Sequence, residues 1–141
     1  MYITPYLNFN GNASEALALY ERALGVKGKE VHRYKDAPAT SGYVTPPGTE
    51  DFIMHATIEI ERGQLYLSDC PPEHKVTFGN AVSVALELES ADRVREAFKV
   101  LAEGGSVHME PQKSFFSECF GMLTDKFGVN WMLLQAEAEQ E

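Results

Sequence analysis

The chain has 141 residues, 44% of them apolar, and a formal charge of −9 from 12 basic and 21 acidic side chains. That length suits one domain or two small fused modules with a sizeable core, and the acidic balance argues against nucleic acid or an anionic membrane as a partner. No apolar run reaches transmembrane length, and the start, MYITPYLNFN, lacks the regions of a signal peptide, so a cytoplasmic protein is expected.

Residues 2–9, YITPYLNF, are aromatic and β-branched and predict a strand, with Pro5 placing it at an edge or at a strand start. Gly11 and Asn12 break it. Ser14 is the expected N-cap of a helix whose apolar positions are Ala16, Leu17, Leu19, Tyr20, Ala23 and Leu24, stopped by Gly25. Residues 30–34 predict a short strand. The segment DAPATSGYVTPPGTED at 36–51 is too rich in proline, glycine and small residues for regular structure, and reads as a lid or a dimer arm. Residues 53–60 and 64–68 predict a hairpin turning at Arg62-Gly63.

The second half repeats the order. Residues 81–88 predict a strand. Ser90 caps a helix with the stripe Val94, Ala97, Phe98 and Leu101, ended by Gly104-Gly105. Residues 107–109, 120–124 and 130–135 predict three strands, the last two joined by a turn at Asp125–Gly128. Each half therefore reads strand, helix, three strands, a duplicated βαβββ unit at a period of roughly 75–80 residues. The closing residues 137–141 read as a solvated, frayed tail.

Chemistry-bearing residues are few. Cys70 and Cys119 form no C-x-x-C pair and read as free thiols. The histidines are His32, His55, His74 and His108. His55 could act as an acid or base at the rim of a cleft, against the plainer reading of a hydrogen-bonded strand histidine. Asp69, at a strand end, could serve as a base, against the plainer reading of a loop-capping carboxylate. Glu118 could lend a carboxylate. Asp125 in the turn D-K-F-G reads as structural. No phosphate loop, G-x-S-x-G, H-E-x-x-H or dinucleotide fingerprint is present.

Three strings carry a family resemblance: LYERALG at 19–25, LAEGGSVHM at 101–109 and, most specifically, FGMLTDKFGVNWML at 120–133. With the tandem pattern they resemble the vicinal-oxygen-chelate superfamily of glyoxalases, bleomycin-resistance proteins and extradiol dioxygenases, PhnB-like branch. The resemblance implies an α+β fold: one glyoxalase-like domain over 1–141, with modules at about 1–72 and 78–136, forming a curved, partly open barrel-like sheet with helices on its outer face. It also implies a homodimer and a cleft for a small organic molecule. Some members of that branch bear the name demethylubiquinone methyltransferase. No glycine-rich strand-to-helix turn for S-adenosylmethionine occurs here, so that activity is not expected.

Metal-dependent members of the superfamily place ligands, usually histidine and glutamate, on the first and fourth strands of each unit. Counting from the matched strings sets those four slots on Pro5, Tyr66, Ser83 and Met132. None is a good ligand for a hard or borderline ion, so no metal and no cofactor are expected. Period-two alternation from these slots groups Leu7 and Phe9 with Pro5, and turns Trp131 away from Met132, beneath a helix. The expected cleft lining is Leu7, Phe9, Tyr66, Ser68, Ser83, Phe116 and Met132. A binder of a small organic ligand is the favoured expectation. A metal-independent or atypical-metal enzyme and a dimeric partner protein are the competing ones.

Overall fold

The computed structural model describes residues 1–137. Of the expected tail, residues 138–141 lie outside the described residues. The chain forms two compact units, Met1–Thr77 and one beginning at Phe78. Among the described residues there are two α-helices and eight strands in two open, mixed sheets, an α+β fold of βαβββ units. No helix among them is long and apolar enough to cross a membrane.

The first unit contains β1 (Tyr6–Phe9), α1 (Ala13–Leu24), β2 (Gly28–Arg33), β3 (Ile53–Ile60) and β4 (Gly63–Asp69). Its sheet runs β1-β4-β3-β2, with β1 parallel to β4 and the other pairs antiparallel. The apolar stripe of α1 covers one face: Leu17, Tyr20 and Ala23 are buried, as are Phe9, Ala56, Ile58, Leu65 and Leu67 on the strands. Fully burying each large side chain contributes roughly 1.5–3 kcal/mol.

Local departures from the sequence expectation have local causes. β1 begins at Tyr6 rather than at residue 2. Pro5 has no N–H to donate, and its carbonyl already accepts from the Tyr66 N–H at 3.0 Å. The helix begins at Ala13, one residue before the expected cap Ser14. An acceptor distant in sequence does the capping: Asp69 Oδ1 accepts from the N–H groups of Gly11 and Ala13, each at 2.9 Å. Ser14 instead accepts from Arg33 Nη1 at 2.9 Å. The hairpin turns at Glu61-Arg62, one residue earlier than expected, because Gly63 already pairs with Ile60.

Asp69 also accepts from the Ile53 N–H, through Oδ2 at 2.9 Å. Its backbone carbonyl accepts from the Tyr34 hydroxyl at 2.6 Å. One buried carboxylate thus joins the start of α1, the start of β3 and the end of β4. Tyr34, expected in a strand, opens a 3₁₀ turn (Tyr34–Asp36) and is buried against Phe52 and Tyr43. Residues 36–51 stay irregular apart from a turn at Ala39–Ser41. Their base is tied by hydrogen bonds from Tyr34 N–H to Phe52 O and from Lys35 N–H to Glu50 O.

The second unit contains β5 (Val84–Leu88), α2 (Ala91–Leu101), β6 (Ser106–Gln112), β7 (Phe120–Thr124) and β8 (Asn130–Gln135), in the order β5-β8-β7-β6. Ser90 caps α2, its Oγ accepting from the Arg93 N–H at 3.1 Å. Val94, Ala97, Phe98 and Leu101 are all buried. Opposite them lie Leu86, Leu123, Trp131 and Leu133, also buried. Gly121 sits directly under Phe98: a Cβ there would stand 2.8 Å from the ring. β5 starts at Val84 rather than 81, where pairing with β8 starts. The preceding residues are held instead by Asn130 Nδ2, which donates to the carbonyls of Gly79 and Val82. β6 runs through Pro111, which an edge strand tolerates.

Asp125 is the second buried carboxylate. It accepts from the N–H groups of Phe127 and Val129 at 2.9 and 3.0 Å and from the Trp131 indole N–H at 2.8 Å. Trp131 is therefore beneath α2, turned away from the other face.

Three outcomes are expected. Asp69→Ala and Asp125→Ala each strand buried donors and lower stability by about 3 kcal/mol, or roughly 10 °C in Tm, in differential scanning fluorimetry. Gly121→Val drives Phe98 off its seat and costs about 2 kcal/mol in urea denaturation. Burial, then the neighbouring Tyr43 and Asp69, pushes the Tyr34 phenol up to about 12. The fold favours the neutral phenol, so this contribution is full below about pH 10 and is lost as pH rises from there to about 12. Tyr34→Phe should cost about 1 kcal/mol at pH ~8 and make the alkaline loss shallower, both read from urea curves at a series of pH values.

Candidate functional site

One helix covers one face of each sheet and leaves the other face open. The register states which residues are on which side. In parallel and antiparallel ladders alike, directly paired residues project to the same face. Tyr6 pairs with Tyr66, Tyr66 with Thr57, and His32 with His55. These side chains therefore share the open face of the first unit.

At its centre three rings meet. The centroids of His55 and Tyr66 are 4.9 Å apart, those of Tyr6 and His55 5.7 Å, and those of Tyr6 and Tyr66 6.0 Å. All three side chains are partly accessible. Polar contacts run through the cluster. The Tyr6 hydroxyl lies 3.3 Å from His55 Nδ1, and Thr57 Oγ1 lies 3.5 Å from Nε2. Gln64 Nε2 donates to the Tyr66 hydroxyl and to Thr4 Oγ1, each at 3.3 Å. The arrangement offers aromatic faces for an apolar or cationic group, with hydroxyl, imidazole and amide groups to orient it.

Two sequence expectations for this face are corrected. Leu7 and Phe9 were expected to share it with Tyr66, but they lie on the opposite, helix-covered side. Phe9 is completely buried, its ring 6.5 Å from Tyr20 of α1. The first slot on β1 is consequently Tyr6, not Pro5. The cue was present in the alternation of Tyr6 and Asn8 with Leu7 and Phe9: in a half-buried strand the purely apolar pair goes under the helix. Asp69 is not positioned as a base, because its two oxygens accept three backbone N–H groups in the interior. Ser68 lies at the end of the open-face row and is nearly buried. Tyr6, Thr57 and Gln64 are the members that sequence reasoning missed.

On the second unit, Met132 lies on the open face beside Ala85 and Met122. Ser83 precedes β5 and is exposed, so the β5 position paired with Met132 is Ala85. Phe116 stands in the loop before β7, half exposed, edge-on to Phe120 at 4.9 Å. Glu118 is solvent-exposed and 3.7 Å from Lys113. A groove of about 450 Å³ lies between α2 and the edge strand β6, floored by Phe98, Val107 and Pro111. It is on the helix side of that sheet and mixes both charge signs without a convergent set of polar groups.

The donor set does not fit the superfamily's metal. The strand pairs that would carry ligands offer Tyr6 with Tyr66 and Ala85 with Met132. Among the described residues no three His, Cys, Asp or Glu side chains are grouped to hold an ion. His55 supplies one imidazole with no carboxylate beside it on β1 or β4.

Comparison with known proteins agrees with this architecture. The family described as 3-demethylubiquinone-9 3-methyltransferase matches residues 1–134. Protein YjdN of Escherichia coli (strain K12) is 32% identical over 139 residues, 94% of each chain. The structure of protein PA1353 from Pseudomonas aeruginosa is similar at a TM-score of 0.85 and 35% identity, over 98% of this chain and 99% of that one. The PhnB protein of Bacillus cereus follows at 0.77 and 29%, over 96% and 100%. At the level of fold alone, the fosfomycin resistance protein FosX of Listeria monocytogenes is similar at a TM-score of 0.65 and 10% identity, over 95% and 91% of the two chains. The chain belongs to the PhnB-like family of the vicinal-oxygen-chelate superfamily, the family whose description is 3-demethylubiquinone-9 3-methyltransferase.

Proposed function

We propose that this protein binds a small organic molecule on the open face of its first unit, without the metal site usual in the superfamily. The observation that carries the reading is the Tyr6–His55–Tyr66 cluster, three partly accessible rings within 6.0 Å of one another, rimmed by hydroxyl and amide groups. Partly exposed aromatic side chains with a few convergent polar groups are the kind of lining that small-molecule sites use. Methyl transfer is not part of the proposal. The connection from β1 to α1 is Asn10-Gly11-Asn12, and the helix N-terminus is already occupied by the Asp69 carboxylate. That connection is not the glycine-rich strand-to-helix turn of a nucleotide-cofactor fold. A cytoplasmic homodimer completes the proposal, supported by the exposed apolar side chains of Met1, Tyr2, Ile3 and Phe115.

Native mass spectrometry of protein purified from cells, with elemental analysis, tests these points together. The expected result is a dimer carrying an organic adduct at substoichiometric or full occupancy. Tyr66→Ala should weaken rebinding of that adduct by about tenfold, or roughly 1.4 kcal/mol. A stoichiometric zinc, nickel, iron or manganese ion, or rebinding untouched by Tyr66→Ala, overturns the reading.

The contact between the Tyr6 hydroxyl and His55 Nδ1 favours a second reading, a metal-independent lyase, isomerase or transferase in which that pair moves a proton. Incubating the captured molecule with excess protein should then change its mass, and His55→Asn should abolish the change. An unaltered molecule leaves the binder.

A further inference from the structure

The open face of the first unit has a one-sided charge. Its strand positions include the carboxylates of Glu30 and Glu59 and, among the described residues, no lysine or arginine. The lysine and arginine of the same strands fall on the other side, while His32 stays on the open face with its Nε2 2.8 Å from Glu30 Oε1. Lys29 reaches Glu21 of α1 at 2.7 Å, and Arg33 donates to Ser14 of α1 at 2.9 Å. Glu59 is opposite Gln64, whose amide donates to the Tyr66 hydroxyl, so it occupies the row beside the rings. The open face of the second unit, taken by itself, has the same character. β5 and β7 bring Glu87, Met122 and Thr124 to it, β8 brings Met132, and no strand lysine or arginine joins them, the one imidazole being that of His108, 2.7 Å from Thr124 Oγ1.

That distribution decides between ligand charges. A phosphonate, phosphate or carboxylate entering the first unit's face would lose its hydration without gaining a guanidinium or ammonium partner, and would meet the carboxylate of Glu59 beside the rings and that of Glu30 next to its partner His32. An alkylated ammonium loses little on desolvation, is attracted to the faces of tyrosine rings, and gains from nearby carboxylates. We propose that the natural ligand of this face is a small organic cation, an alkylated ammonium on a compact apolar body. The inference rests on the binding reading above and narrows it to one charge class.

The test is an NMR titration of the full chain with three probes: choline, its uncharged carbon isostere 3,3-dimethylbutan-1-ol, and methylphosphonate. Choline should shift the resonances of Tyr6, His55 and Tyr66 and bind about fivefold tighter than the isostere. Methylphosphonate should leave those resonances in place. Glu59→Gln should weaken choline by roughly two- to fivefold without changing the isostere. Tyr66→Phe should keep the preference, and Tyr66→Leu should remove it. Since Tyr66→Leu could also disturb folding, the Phe and Gln variants carry the decision. Equal affinity for choline and its isostere, or methylphosphonate binding at the three rings, overturns the charge assignment while leaving the ligand face intact. Failure of all three probes, combined with no adduct in the native spectrum, removes both.

Discussion

A four-stranded sheet has two faces to shield from water, and each unit of this protein has one α-helix with which to do it. α1 takes the side of the first sheet bearing Phe9, Ile58 and Leu67. α2 takes the side of the second bearing Leu123, Trp131 and Leu133. Because side chains alternate along every strand, that choice also specifies what the uncovered faces contain. A slip of one residue would exchange Tyr6 for Leu7 and Tyr66 for Leu67, hiding the aromatic cluster and exposing the core. The candidate site is in this sense a by-product of how the cores are buried.

Two buried carboxylates hold the register that makes this possible. Asp69 is held by three backbone N–H groups, Asp125 by two and an indole N–H. A carboxylate satisfied by oriented N–H dipoles avoids much of the cost of burial. It also fixes geometry, since its oxygens constrain the chain segments they accept from. Asp69 sets where α1 and β3 begin and where β4 ends, which places Tyr66 and His55 against Tyr6. Its contribution to function is positional, through the strands that it aligns.

The family resemblance and the physical chemistry of the faces bear on different questions. Membership in the PhnB-like family accounts for the βαβββ units and for the turn D-K-F-G with its tryptophan. It says nothing about the ligand, since the positions that would carry metal donors hold tyrosine, alanine and methionine. What remains on the first unit's open face is aromatic, hydrogen-bonding and acidic. On the binding proposed above, ring faces and hydroxyls would supply weaker contacts spread over the ligand in place of directional metal–oxygen bonds.

The succession of elements was legible in the residues alone. The stripe Val94, Ala97, Phe98 and Leu101, the Ser90 cap, the stop at Gly25 and the last hairpin were all visible as local patterns, because helix periodicity, caps and turns are decided by neighbours in sequence. Trp131 could be assigned to the covered face for the same reason, from alternation within one strand. The start of α1 could not, since its capping oxygen comes from Asp69, far away along the chain. The first slot of β1 was only hinted at by the alternation of Tyr6 and Asn8 with Leu7 and Phe9; that Tyr6 lies beside Tyr66 is settled by the pairing of β1 with β4, a contact between distant segments. Composition by itself determined the acidity of the chain, and the family resemblance pointed to positions without metal-ligating residues. Only the tertiary structure decided that Glu59 and the aromatic rings share one face while Lys29 and Arg33 reach toward α1 on the other, because that depends on which side of each strand α1 covers.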